Sequence, residues 1–179
     1  MLIKILIGLV VIVMVFVAIV ALRPSEFRVE RSAVVSAPPA VVFAQVNDLH
    51  KWEGWSPWVR LDPAARLGYD GPPAGAGAGF AWAGNYQVGE GHMTITESRP
   101  NELIRLRLEF LKPFAGTNTA EFAFSPQGEQ TLVTWTMFGR PHFMSRAIGM
   151  FMSMDTMIGG MFEKGLAQMK SIAEAAAVT

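Results

Sequence analysis

Between residues 80 and 137 apolar side chains return at every second position, run after run, and the runs are separated by turns too short to hold a crossover helix. Phe80, Trp82, Tyr86 and Val88 would share one strand face. Ile104, Leu106, Leu108 and Phe110 share another, opposite Arg105, Arg107 and Glu109. Phe122 and Phe124 lead on to Val133, Trp135 and Met137. Gly89-Glu90-Gly91, Arg99-Pro100-Asn101 and Ser125-Pro126-Gln127-Gly128 stand between the runs. Connections this short force an antiparallel meander, because parallel neighbours need a dozen or more linking residues.

Helical patterning brackets this meander. Upstream, Phe27, Val29, Ala33 and Val35 alternate with polar residues as a first strand, with Arg31 as a charged misfit on the apolar face. Pro38-Pro39 then suits a helix start, and residues 40–46 read as a short helix. Downstream, 100° steps place Met154, Ile158, Met161, Phe162, Gly165, Met169 and Ile172 in one stripe, with Glu163, Lys170 and Glu174 opposite. The expected fold class is α+β: a curved antiparallel sheet wrapped around a long C-terminal helix. A sheet bent around one helix leaves room between them, and that room is the expected pocket.

The N-terminus belongs to a different solvent. Residues 5–22 carry no charge and no proline, with Lys4 before them and Arg23-Pro24 after. About 1.5 Å per residue lets this run cross a hydrocarbon core of roughly 30 Å. A cleaved signal peptide is the rival reading. The run is longer than the usual apolar segment of a signal peptide, and no A-x-A-like site follows it. The expectation is therefore an uncleaved anchor over residues 1–23, contacting membrane through residues 5–22, and one folded domain over residues 24–179. Lys4 and the terminal amine against Arg23, Arg28 and Arg31 leave the side of the membrane open.

Lys plus Arg equals Asp plus Glu at 15 each, so the basic excess that phosphate backbones demand is missing and nucleic acid is not an expected partner. There is no cysteine, which excludes disulfides, thiolate nucleophiles and thiolate-bound metals. His50, His92 and His142 have no metal-like spacing, and no metal or other cofactor is expected. Residues 71–79 are glycine-rich but lack the Lys-Ser/Thr of a phosphate loop; they read as a flexible loop, a candidate lid over the pocket.

Several groups of residues together resemble a known family. They are Val34-Val35-Ser36-Ala37-Pro38-Pro39 leading to Val42-Phe43, Trp52-Glu53-Gly54-Trp55-Ser56-Pro57-Trp58, Pro113-Phe114-Ala115-Gly116-Thr117-Asn118, and Met154-Asp155-Thr156-Met157-Ile158-Gly159 with Phe162-Glu163-Lys164-Gly165-Leu166. In this combination the chain resembles the START-like (SRPBCC) superfamily of helix-grip proteins, and within it bacterial polyketide cyclase/dehydrase-type sequences. The resemblance implies a helix-grip fold and a cavity used for binding, transfer or occasional catalysis. It also makes a bacterial inner membrane the expected location of the anchor.

The candidate ligand contacts are Trp55, Trp82, Phe110, Phe114, Trp135 and Met157. Trp52, Trp55 and Trp58 recur every third residue and would project together near the cavity mouth, Trp55 first among them, although a structural plug explains them as well. Seven of the eleven methionines fall between Met144 and Met169. Met154, Met161 and Met169 fit a core stripe, Met157 could reach the pocket, and Met150 and Met152 could form an exposed patch. Asp155 lies within the apolar arc of the last helix; it is a candidate general acid or base, or a helix cap, as is Ser153. Three functions follow. The first is binding of a lipid or other hydrophobic small molecule at a membrane. The others are a cyclase- or hydratase-type enzyme using Asp155 or a histidine, and a partner of another membrane protein.

Overall fold

The computed structural model describes residues 2–22, 26–140 and 154–177. Helix α1 (Leu2–Ala21) is followed by strand β1 (Phe27–Val35) and helix α2 (Pro39–Asn47). A 3₁₀ turn (Leu49–Lys51) runs into the single-turn helix α3 (Trp52–Trp55). Six strands come next, β2 (Arg66–Asp70), β3 (Gly79–Ala83), β4 (Glu90–Arg99), β5 (Leu103–Lys112), β6 (Gly116–Gln127) and β7 (Gln130–Gly139). Helix α4 (Met154–Ala177) closes the chain.

All seven strands form one antiparallel sheet in the order β1-β7-β6-β5-β4-β3-β2. The expected α+β architecture is present, a sheet gripping a C-terminal helix. Its inner face carries the apolar half of each alternation, including Val29, Met93, Ile95, Ile104, Leu106, Phe122, Phe124, Val133 and Trp135, all buried. Against it pack Phe162, Leu166, Met169 and Ala173 of α4 with Val42, Phe43 and Val46 of α2. Met169 is a core residue as its stripe suggests, and Met161 is half-buried.

Antiparallel pairing sorts the connections into two groups. At one end of the sheet lie the start of β1, the end of β7, the β5–β6 and β3–β4 connections, and the start of β2. Because α1 precedes β1, this is the α1 end. The β4–β5 and β6–β7 turns, the loop 71–79 and the exit of β1 into α2 lie at the far end.

Two readings of the strands are corrected. Tyr86 is not on a strand: β3 stops at Ala83, a turn follows in which Gly84 N–H donates to the Gly89 carbonyl and Gly89 N–H to that of Asn85, and Tyr86 stands almost fully exposed. Loop 71–79 is not a lid. It joins β2 to β3 at the far end, tied down by Gly75 N–H to the Asn47 carbonyl, Gly77 N–H to the Ile95 carbonyl and Ile95 N–H to the Ala78 carbonyl.

The misfit Arg31 finds its explanation on α4. Its guanidinium donates two parallel bonds of 2.9 Å to the Asp155 carboxylate and a third, of 2.7 Å, to Glu163. The apolar arc of α4 holds one acid and the apolar face of β1 one base, and they meet as a bidentate pair fastening the first turns of α4 to the sheet.

Among the described residues one helix is long and apolar enough to cross a membrane, over Ile3–Ala21. Its apolar side chains from Ile3 to Ile19 are largely exposed, as those of a core helix would not be.

Candidate ligand cavity

A cavity of about 310 Å³ lies between the inner sheet face, α4 and the segment around α3. Leu67, Phe80, Trp82, Met93, Leu108, Phe110, Ala120, Trp135 and Met137 supply the sheet wall. Ile158 and Phe162 supply the α4 wall, and Trp52, Ser56, Trp58, Val59 and Ala65 the wall between. Gln87, Lys112 and Pro113 line it and are themselves exposed, so the mouth opens at the α1 end. The volume sits at the lower end of the range in which small-molecule sites fall.

Trp82 depends on a glycine. Gly91 faces it across the β3–β4 pair, and a Cβ there would stand 2.4 Å from Trp82 Cζ2 and 2.7 Å from the Glu109 carbonyl oxygen. The indole therefore lies flat over the neighbouring strand, held by its N–H donating to the Val88 carbonyl at 3.1 Å. Phe110 meets it edge-on at 5.9 Å.

Trp135 anchors the opposite side. It stacks on Phe162 at 4.0 Å and on Phe122 at 4.7 Å, while Trp52, Trp55 and Trp58 approach it edge to face. The helix comes this close because position 165 is glycine: a Cβ there would lie 2.9 Å from Trp135 Cζ3. Among the described residues Trp135 Nε1 is a buried donor without a hydrogen-bond partner. Such an orphan costs about 1–3 kcal/mol, so packing has to hold this side chain in place.

Trp82, Phe110 and Trp135 of the sequence-based candidates thus share the cavity wall. The other three lie off it. Trp55 is fully buried, its N–H bonded to the Gln45 carbonyl at 3.0 Å, and belongs to the plug beneath the wall; Trp52 and Trp58 are the lining members of the triplet. Phe114 stands half-exposed on the β5–β6 turn. Met157 is exposed because it lies five residues, about 140°, from the inward-facing Phe162, whereas Ile158 lies only about 40° away. A count of 100° steps from Phe162 alone points to Ile158.

Asp155 is exposed and engaged with Arg31, outside the cavity lining. The Arg31 hydrogen bonds hold its carboxyl below the ordinary value of 3.8. Among the described lining residues Lys112 is the one ionisable group, and its Nζ pairs with Glu90 at 2.7 Å. Ser153, His142, Met150 and Met152 lie outside the described residues. The bidentate pair predicts an acid-sensitive helix start. A carboxyl whose pKa is depressed by folding contributes its stability above the unfolded value and loses it as pH falls through the folded one. Protection of the amides in the first turns of α4, taken relative to their intrinsic exchange rates at each pH, should therefore fall as pH drops below about 3.8. Asp155→Asn should show faster exchange already at neutral pH, and equal rates in both proteins at neutral pH would remove the pair from any role in docking α4.

A second hollow, of about 280 Å³, is bounded by Leu49, His50, Tyr69, Asp70 and loop 71–79 at the far end. His50 stacks on Tyr69 at 3.9 Å and pairs with Asp48 at 3.2 Å; His92 pairs with Asp70 at 3.3 Å. Burial, and then the hydrogen bond to Glu53, push the Tyr69 hydroxyl above its usual range. No group of three or more metal-ligating side chains occurs among the described residues.

The family model for polyketide cyclase/dehydrase and lipid transport proteins matches residues 26–174. The chain belongs to this family. Solved structures share the fold of this chain at low identity. A protein of Chromobacterium violaceum is 17% identical, with a TM-score of 0.59 over 85% of this chain and 99% of its own. A Rhizobium loti protein is 18% identical, with a TM-score of 0.60 over 80% and 96%. A Staphylococcus aureus protein of unknown function is 10% identical, with a TM-score of 0.61 over 86% and 97%. No curated protein matches the sequence. The fold and the family support a hydrophobic-ligand role, and at these identities the solved structures speak for the fold alone.

Proposed function

We propose that this chain is a membrane-anchored binding protein that takes a lipid or other hydrophobic small molecule into the cavity between sheet and α4. The observation that carries the reading is the wall itself: aromatic and aliphatic on every side, with Ser56, Gln87 and Lys112 as its polar side chains. Burying an alkyl chain there is worth about 0.8 kcal/mol per CH₂, so a partly sheltered ten-carbon tail reaches roughly micromolar affinity after the cost of association. Residues 1–23 serve as the anchor and residues 24–179 as the binding domain. The 19 residues of Ile3–Ala21, with Lys4 as their single charge, extend about 28 Å as a helix, close to one hydrocarbon core. Anchoring confines the cavity to two dimensions and raises its effective concentration toward membrane-borne ligands.

Enzymatic turnover would need a proton-transfer group against the ligand, and Asp155, the sequence-based candidate, is committed to Arg31. Native mass spectrometry of the full-length protein extracted from its own membrane should show a retained small molecule. In detergent, a bound apolar fluorescent probe should be displaced by fatty acids, sterols or aromatic polyketides. A protein that carries no small molecule and yields no probe displacement would end this reading.

A further inference from the structure

Outside α1 and Leu22, the large apolar side chains exposed among the described residues are Val34, Leu61, Tyr86, Leu111, Phe114 and Met157. Four of the six gather at the α1 end of the sheet, while Val34 lies near the end of β1 and Met157 on α4. Tyr86 sits on the β3–β4 turn, while Leu111 and Phe114 sit at the end of β5 and on the β5–β6 turn. Leu61 joins them because the Asp62 carboxylate accepts from Asn85 N–H at 2.6 Å, drawing its loop onto the β3–β4 turn. The two turns adjoin: Glu90 pairs with Lys112, and a Cβ on Gly89 would touch the Lys112 carbonyl. These side chains thus rim the mouth, where Gln87, Lys112 and Pro113 line the cavity. The far end contrasts with this: the β4–β5 and β6–β7 turns expose Arg99, Asn101, Glu102, Gln127, Glu129 and Gln130, and Val34 at the exit of β1 is the one large apolar side chain exposed there among the described residues.

The register says what the rim faces. Phe27 pairs with Gly139, and Gly139 with Asn118 at the start of β6, so the chain enters β1 at the same end of the sheet as the rim. Five residues separate Ala21 from Phe27, a reach of about 20 Å when fully extended. We infer that the cavity mouth is a bilayer-docking surface: Tyr86, Leu111, Phe114 and Leu61 insert into the lipid interface, so that a ligand passes between membrane and cavity without crossing water. This rests on the membrane attachment proposed above. Aromatic side chains are favoured at that depth, and an exposed cluster beside an apolar opening is otherwise unfavourable in water.

The absence of cysteine makes the test direct. The full-length chain, carrying single Tyr86→Cys, Phe114→Cys or Glu129→Cys substitutions with a spin label, is reconstituted into phosphatidylcholine/phosphatidylglycerol vesicles. Labels at 86 and 114 should be accessible to lipid-dissolved oxygen and protected from an aqueous nickel chelate, with the reverse at 129. A Tyr86→Asp/Phe114→Asp double variant should take an apolar fluorescent probe from vesicles at least tenfold more slowly, with its affinity for that probe in detergent unchanged. Labels at 86 and 114 as water-exposed as that at 129 would overturn the inference. So would labels shielded from both reagents, which would indicate a protein partner, and so would a chain that fails to float with the vesicles. Immersed labels without any probe uptake would support the orientation while removing the ligand reading.

Discussion

Replacing Trp135 by alanine is expected to cost about 3–5 kcal/mol of stability, the range seen when a large buried aromatic is deleted from a core. Trp135 stacks on Phe162 and Phe122 and takes the edges of Trp52, Trp55 and Trp58, so its removal leaves five rings facing a void beside an existing cavity. For a domain of this size the midpoint of thermal unfolding should fall on the order of 10 °C. Trp135→Phe should cost markedly less. A phenyl ring keeps a stacking partner for Phe162 and Phe122 and removes the one buried side-chain N–H left without a partner among the described residues. If the two substitutions destabilise equally, the stacking account is wrong and Nε1 has a partner that matters.

Ala120→Phe should abolish ligand binding while the fold survives. Ala120 points inward from β6 between Leu106 and Met137, and its small side chain is part of the cavity wall. A ring placed there enters the roughly 310 Å³ void instead of displacing neighbours, so the usual 1–3 kcal/mol penalty of overpacking should be largely escaped. Apolar probe affinity should drop at least tenfold, with circular dichroism and thermal midpoint close to wild type. Unchanged affinity in a folded variant would mean that the ligand sits elsewhere.

Periodicity made the long strands β5 to β7 legible, because each buries one face and exposes the other, and the amphipathic stripe of α4 followed from the same logic, whereas β4 was marked only by the turn signals on either side of it. β2 escaped notice. Its five residues include Gly68, and only Leu67 and Tyr69 turn inward, too few positions to register as alternation. Tyr86 was misassigned because alternation carries no signal that a strand has ended; the stop at Ala83 is made by Gly84, Gly89 and Asp62, which act through hydrogen bonds. At the site, the strand residues Trp82, Phe110 and Trp135 were readable, since a curved sheet turns its inner face to the void. Trp55 was not, as which ring of the triplet meets the void depends on how that helical turn is rotated, and tertiary contacts decide that; Met157 is excluded by the stripe through Phe162, which already holds Ile158. Arg31 and Asp155 each looked anomalous within their own element. A rule that reads one element at a time cannot see that the two anomalies cancel across 124 residues.

The strand order also dictates when the domain can be completed. Every neighbouring pair from β2 to β7 is consecutive in the chain, so each hairpin can form as soon as its second strand is available. β1 is the exception. Its sole neighbour in the sheet is β7, with Phe27 against Gly139, so the first strand to leave the ribosome waits for nearly the whole domain before it is paired. During that interval β1 is a free edge held next to α1, and if the apolar helix enters a bilayer first, the waiting strand is kept within about 20 Å of the lipid surface and away from the edges of other nascent chains.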